Sequence, residues 1–114
     1  MRVLVLEDDD NLRKAIVRYS YRHARHVDEA SDALDAVNHI MENPPDVLIA
    51  DWDLGEDLTG VDVAKIVHKQ SPTVRIAMIT GKPMKQLKSA AKHVPVHIFL
   101  AKPFSLNEIL AIFE

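Results

Sequence analysis

The sequence predicts an α/β fold, a (βα)5 three-layer sandwich built on a five-stranded parallel sheet. Five short apolar segments recur along the 114 residues, and a helix-periodic segment follows each of them. Apolar strands alternating with amphipathic helices require cover on both faces, which is the arrangement of a parallel sheet. Each of the five segments also ends on or runs straight into a charged or hydroxyl residue.

"RVLVL" (2–6) is short, branched and apolar throughout, as a buried strand should be. Asp9 or Asp10 is placed to cap a first helix with Leu12, Ala15, Ile16 and Tyr19 on one face. That helix fades in "YRHARH" (21–26), whose cations suit a helix C-terminus. "HVDEA" (26–30) is a weaker strand. Ser31 is the expected N-cap of a second helix carrying Leu34, Val37, Ile40 and Met41, and "NPP" (43–45) stops it.

"DVLIA" (46–50) is the third strand and ends at Asp51. The loop "WDLGEDLTG" (52–60) leads to a third helix with Val61, Ala64 and Val67 inward, ending near Ser71-Pro72. "VRIAMIT" (74–80) is the fourth strand. A fourth helix is expected from near Pro83, with Met84, Leu87, Ala91 and Val94 as its apolar stripe. "VHIFLA" (96–101) is the fifth strand, and Ser105 with Glu108 forms a capping box for a last helix bearing Ile109, Leu110 and Phe113.

The length suits one domain, and no apolar run reaches membrane-spanning length. Without cysteine there is no disulfide frame or thiolate chemistry, and the cytoplasm is the expected compartment. The net charge of −3 hides an asymmetry: residues 1–62 hold 15 acids and 6 basic residues, residues 63–114 hold 2 acids and 8 basic residues. The acidic total and scattered aromatics argue against direct nucleic-acid binding. The six histidines fall in separate elements without a zinc pattern and are assigned to structure or surface.

Ligands of such sheets bind outside the carboxyl ends of the strands. Those ends supply Glu7 and Asp8, Asp51, Thr80 and, just past the fifth strand, Lys102. Three adjacent carboxylates repel one another unless a cation or protons intervene. Oxygen-only ligands favour Mg2+, and a carboxylate can serve as nucleophile and become an aspartyl phosphate. Each residue has a plainer explanation by itself: acids favour helix N-termini, Thr80 precedes a glycine turn, and Lys102 suits a solvated loop. Their shared position at strand ends outweighs those explanations.

The pattern resembles the receiver domain of bacterial two-component response regulators. "VLEDDD" (5–10) is similar to that family's acidic pair, "VLIADWDL" (47–54) to its phosphoacceptor segment, "AMITG" (77–81) to its switch threonine and "FLAKPF" (99–104) to its Lys-Pro. The resemblance implies a flavodoxin-like strand order of 2-1-3-4-5. It implies Asp51 as phosphoacceptor, served by a histidine kinase or a histidine phosphotransfer protein. It also implies Mg2+ held by Glu7, Asp8, Asp51 and the backbone carbonyl of Asp53, with Lys102 on the phosphoryl oxygens or on Asp51. Thr80 and Phe99 become switch residues, and Asp53 and Lys82 tune the phosphate's lifetime. The expected product is a signalling switch rather than a turnover enzyme, a single domain over 1–114, with a stand-alone receiver, the receiver of a hybrid kinase and a domain excised from the N-terminus of a longer protein all open. It would act on a downstream effector domain or protein, and a phosphorylation-linked dimer is compatible with it.

Two departures from the common pattern stand out: Gly55 follows Leu54 where proline is usual, and the acidic loop to Gly60 is one residue longer. Two other functions are open. A receiver-like interaction module independent of phosphorylation is one. The other is a haloacid dehalogenase-like phosphatase, whose D-x-D nucleophile motif "DWD" (51–53) resembles.

Overall fold

In the computed structural model, which spans Met1–Glu114, five strands form one sheet with all neighbours parallel, in the order β2-β1-β3-β4-β5. The elements are β1 (Arg2–Leu6), α1 (Asp10–Ser20), β2 (His26–Ala30), α2 (Ala33–Glu42), β3 (Val47–Asp51), α3 (Gly60–Gln70), β4 (Arg75–Thr80), α4 (Met84–Ala90), β5 (Ile98–Ala101) and a C-terminal 3-10 helix (Leu106–Phe113). The predicted class and order are those observed.

Alternation within the strands divides the core into two layers. Leu4, Leu6, Leu48, Ala50, Ile76 and Met78 face α2, α3 and α4. Val3, Val5, Val47, Ile49, Ala77 and Ile79 face α1 and the 3-10 helix. The central strands β1 and β3 are therefore apolar at nearly every position, and β3 is buried along its whole length. Each fully buried aliphatic side chain contributes about 1.5–3 kcal/mol.

Register sets the functional edge. Leu6 pairs with Ala50, Asp51 with Ile79, and Thr80 with Ala101, so the carboxyl ends of β1, β3, β4 and β5 finish together. The residues just beyond these ends share one rim.

Several helix boundaries differ from the sequence expectation. Asp32, not Ser31, caps α2: its side chain accepts from the Asp35 N–H at 2.8 Å. That offset turns Ala33, Ala36 and Ile40 inward and leaves Leu34 and Met41 exposed, against the expected stripe. α4 has only seven residues, and Pro83 stands at its cap rather than inside its first turn. Ala91 and Val94 stay buried, but in the turn past the helix, and Lys92 leaves the helix with them. β5 starts at Ile98, not Val96. The Ile76 N–H there is taken by His97 Nδ1 at 3.1 Å, an imidazole substituting for a strand carbonyl. The last helix is 3-10, although its Ser105–Glu108 capping box is present as expected. Between Asp9 and Asp10, Asp9 caps α1, accepting from the Leu12 N–H at 3.0 Å.

Gly60 sets how closely α3 approaches the end of β3. A Cβ there would collide with the backbone carbonyl of Asp51, while the Gly60 N–H donates to the Trp52 carbonyl at 3.0 Å. Gly60→Ala is expected to cost about 1–3 kcal/mol in urea unfolding, the usual range for overpacking. Gly81→Ala, whose Cβ would meet only Lys102 Cδ at 3.9 Å, is expected to change stability by less than about 0.5 kcal/mol.

Candidate functional site

At the rim, Glu7, Asp8 and Asp51 each offer a carboxylate oxygen, and these atoms lie within 4.8 Å of one another. Lys102 Nζ inserts between two of them, 2.8 Å from Glu7 Oε1 and 3.3 Å from Asp51 Oδ2. The ammonium is thus closer to Glu7 than to Asp51. Asp8 is exposed, while Glu7 and Asp51 are buried. The cleft outside them is open, about 480 Å3, and no hydrophobic side chain lines it. Asp8, Asp9, Asp51, Asp53, Lys82 and Lys102 form most of its wall.

Three carboxylates share one ammonium in partial burial, and protonation reflects that imbalance. Burial pushes the Glu7 carboxyl up to about 7; the Lys102 ammonium 2.8 Å away opposes this, and Asp8 and Asp51 add to it. Asp51 is also raised, chiefly by burial, with Lys102 pulling the other way. For Lys102, burial works against the charge, but Glu7 and Asp51 outweigh it and the ammonium is raised. Asp51 Oδ1 is buried with no hydrogen-bond partner. A buried carboxylate oxygen without a partner costs free energy, so the atom marks a position for a further positive group.

The donor set is all oxygen, which suits a hard divalent cation. Oxygens bound to one Mg2+ lie at most about 4.2 Å apart. The carboxylates therefore fit such an ion after a slight contraction, or with one of them acting through water.

The surrounding residues hold this rim in place. The Trp52 N–H donates to the Ile79 carbonyl at 2.8 Å, extending β3 past Asp51. Thr80 is fully buried at the end of β4. Its Oγ1 accepts from the Lys82 N–H at 2.8 Å and donates to the Lys82 carbonyl at 3.1 Å, so the hydroxyl is engaged in the turn to α4. Lys82 Nζ reaches back to Asp53 Oδ2 at 3.2 Å and lies 5.7 Å from the centre of the Trp52 ring. Asp53 also accepts from the Gly55 N–H at 3.1 Å. That bond first, and Lys82 second, hold its carboxyl below the usual range. Gly55 takes φ +68°, a conformation where glycine is favoured and proline cannot go, so the departure at this position has a backbone cause.

Phe99 lies apart from the cleft. It pairs with Met78 in the sheet, is half-buried against the α2–α3–α4 layer, and carries Lys88 Nζ 5.4 Å from its ring centre.

Arg13 was not singled out by the sequence analysis. It is buried in α1, and its guanidinium donates to the Glu7 carbonyl at 3.0 Å and Glu29 Oε1 at 2.9 Å and pairs with Asp10 at 2.7 Å. Glu29 first, then Asp10, raise its pKa further. It joins β1, α1 and β2 directly behind the acidic pair. The available signal was an arginine between Leu12 and Ile16 on the inward face, three residues after an aspartate.

The response regulator receiver domain model matches residues 3–114. The DNA-binding transcriptional regulator NtrC of Proteus hauseri is 30% identical over 115 residues, covering 98% of this chain and 24% of NtrC. The response regulator MprA of Mycobacterium avium is 28% identical over 97% of this chain and 48% of MprA. The chain thus spans half or less of these relatives' lengths. The receiver domain of NtrX from Brucella abortus superposes with a TM-score of 0.82 at 25% identity, covering 96% of this chain and 92% of that one. Chemotaxis protein CheY4 of Vibrio cholerae gives 0.82 at 26%, with the same coverage. With the match running the length of the chain and the acidic pair, Asp51, Thr80 and Lys102 collected at one rim, this chain belongs to the response regulator receiver domain family.

Proposed function

We propose that this domain is a phosphorylation-dependent switch that receives a phosphoryl group on Asp51 from a histidine kinase or a histidine phosphotransfer protein. The carrying observation is Asp51 Oδ1, buried without a partner at the wall of an open polar cleft, beside one ammonium and two further carboxylates. In the transfer, an Asp51 oxygen bonds to phosphorus as the bond to the donor imidazole nitrogen breaks, and the imidazole, protonated on its other ring nitrogen, keeps the bonding electron pair and leaves neutral. Phosphoryl transfer needs positioning and charge stabilisation above all. Mg2+, held by Asp8 and Asp51 with Glu7 and the Asp53 carbonyl, would supply positive charge against the phosphoryl oxygens. Lys102, already between Glu7 and Asp51, is within reach of the same group.

The switch follows from Thr80. Its hydroxyl must give up its bond to the Lys82 carbonyl before it can donate to a phosphoryl oxygen. That movement loosens the turn into α4 and the Lys82–Asp53 pair together. Phe99, on the neighbouring strand and under Lys88, is placed to register the change on the α4–β5 surface. A phosphorylation-linked dimer would use that surface. The domain would work in the cytoplasm as one module of 1–114 within a longer protein, passing its state to an effector. No helix is long and apolar enough to cross a membrane. Its own part in phosphorylation and hydrolysis makes it a switch rather than a turnover enzyme. Asp53 is paired and held ionised, which suits a general acid poorly and weighs against the phosphatase reading.

Three measurements test this reading. Incubation with acetyl phosphate and Mg2+ is expected to add one phosphoryl mass to the wild type and none to Asp51→Asn or to an EDTA-treated sample. Failure of both phosphorylation and beryllofluoride binding would favour the phosphorylation-independent module.

Glu7 supplies a pH signature. Its carboxyl titrates at about 7 in the folded chain against 4.5 for an ordinary glutamate, so the folded state binds the extra proton. In metal-free protein this contribution to stability is complete below about pH 4.5 and is lost as pH rises through 7. A cation must displace that proton. Mg2+ affinity, read from Trp52 fluorescence, is therefore expected to rise about tenfold from pH 6 to pH 8, and Glu7→Gln should flatten the rise. Lys82, lying between Asp53 and Trp52 at the cleft mouth, restricts the approach of water. Lys82→Ala is expected to shorten the lifetime of the phosphorylated form severalfold, followed as loss of the adduct by mass.

A further inference from the structure

Most large apolar side chains of this domain are covered, but three of its most exposed ones lie on a single flank. Leu34 and Met41 on α2 are 67% and 61% exposed, and Leu58 in the β3–α3 loop is 46% exposed. Leu34 and Met41 are seven residues apart, two helical turns, and so stand in line about 10 Å from each other. The Ala33 N–H donates to Glu56 Oε1 at 2.7 Å, which brings the loop carrying Leu58 to the start of this line. At the other end Gln70 Nε2 meets Met41 Sδ at 3.4 Å, so the Gln70 side of α3 forms the second wall. The result is an apolar strip along the α2–α3 seam.

Acids outnumber cations beside the strip, where Lys69, next to Gln70 on the α3 wall, is the exposed cation. Asp35 and Glu42 lie on its outer shoulder on α2, and Glu56 and Asp57 stand at its loop end, all exposed. Asp35 is met only by His39, at 3.7 Å. Lys65 on α3 lies about 100° around the helix from Ile66, away from α2.

We infer that this flank is a docking surface for a cationic amphipathic helix of a partner protein. Its apolar stripe would cover Leu34, Met41 and Leu58, and its lysines or arginines would meet the flanking acids. Helix-in-groove recognition uses anchors at this spacing, and charge complementarity sets the orientation and the encounter rate. The α4 surface has the opposite charge, with Lys85 and Lys88 exposed, so the two flanks select different partners. The loop joins the strip to the phosphoacceptor strand: four residues separate Asp51 from Glu56, whose carboxylate holds α2. This surface is independent of the phosphoryl chemistry and stands whether or not Asp51 is the acceptor.

The test is a titration of the 15N-labelled domain with an 18-residue helical peptide bearing leucines at i, i+3, i+4 and i+7 and lysines elsewhere, beside its glutamate counterpart. The lysine peptide is expected to shift amides of 33–42 and 55–58 saturably. The double variant Leu34→Gln, Leu58→Gln is expected to weaken it at least tenfold while leaving acetyl phosphate labelling unchanged. Both positions are exposed, so folding should be unaffected. Three results would overturn the inference: shifts centred on the 7–10 rim and insensitive to the double variant, preferential binding of the glutamate peptide, or no saturable binding by either.

Discussion

The fold of this domain is organised around an unbalanced charge. Glu7, Asp8 and Asp51 meet at one end of an otherwise apolar sheet, and a single ammonium stands among them. Like charges at this separation, two of them buried, destabilise one another, and the burial that fixes their geometry also deprives them of water. The protein therefore holds a site in which carboxylates outnumber the cations beside them. Lys102 relieves part of the repulsion and a proton on Glu7 can relieve more, but one oxygen of Asp51 still lacks a partner.

Much of the rest of the structure keeps that arrangement from relaxing. β3 is buried end to end, so Asp51 cannot swing outward without disturbing the core. Gly60 lets α3 close against the Asp51 carbonyl, and the Trp52 N–H continues the ladder one residue beyond the strand. Arg13 holds the Glu7 backbone from behind. Nearer solvent lie the Thr80–Lys82 turn, the Lys82–Asp53 pair and the short α4.

The strands and the convergence of five site residues were legible because they depend on one-dimensional signals, whereas the strand order came with the family resemblance. Apolar runs mark parallel strands, and the residue just past each run must lie at the sheet's edge. Helix boundaries were less legible. Ser31 and Asp32 are both good caps, and only the packing of Ala33 decides between them. Leu34 and Met41 match helical spacing yet face outward, because Ala33, Ala36 and Ile40 occupy the inward face of α2. Arg13 was hidden because its three partners come from different elements. The preference of Lys102 for Glu7 over Asp51 is a matter of a few tenths of an ångström, which no pattern carries.

β2 was the least convincing strand in the sequence, and its polarity has a use of its own. It lies at the margin of the sheet, where unpaired backbone groups invite another chain to add on. Its inward-paired neighbour is β1, yet "HVDEA" places His26, Asp28 and Glu29 along it. Asp28 binds Arg2, and Glu29 binds both Arg13 and Lys14. A stranger's strand approaching this margin would have to strip those ion pairs of water and partners. The charges that tie β2 to the domain thus also guard it against intermolecular sheet growth.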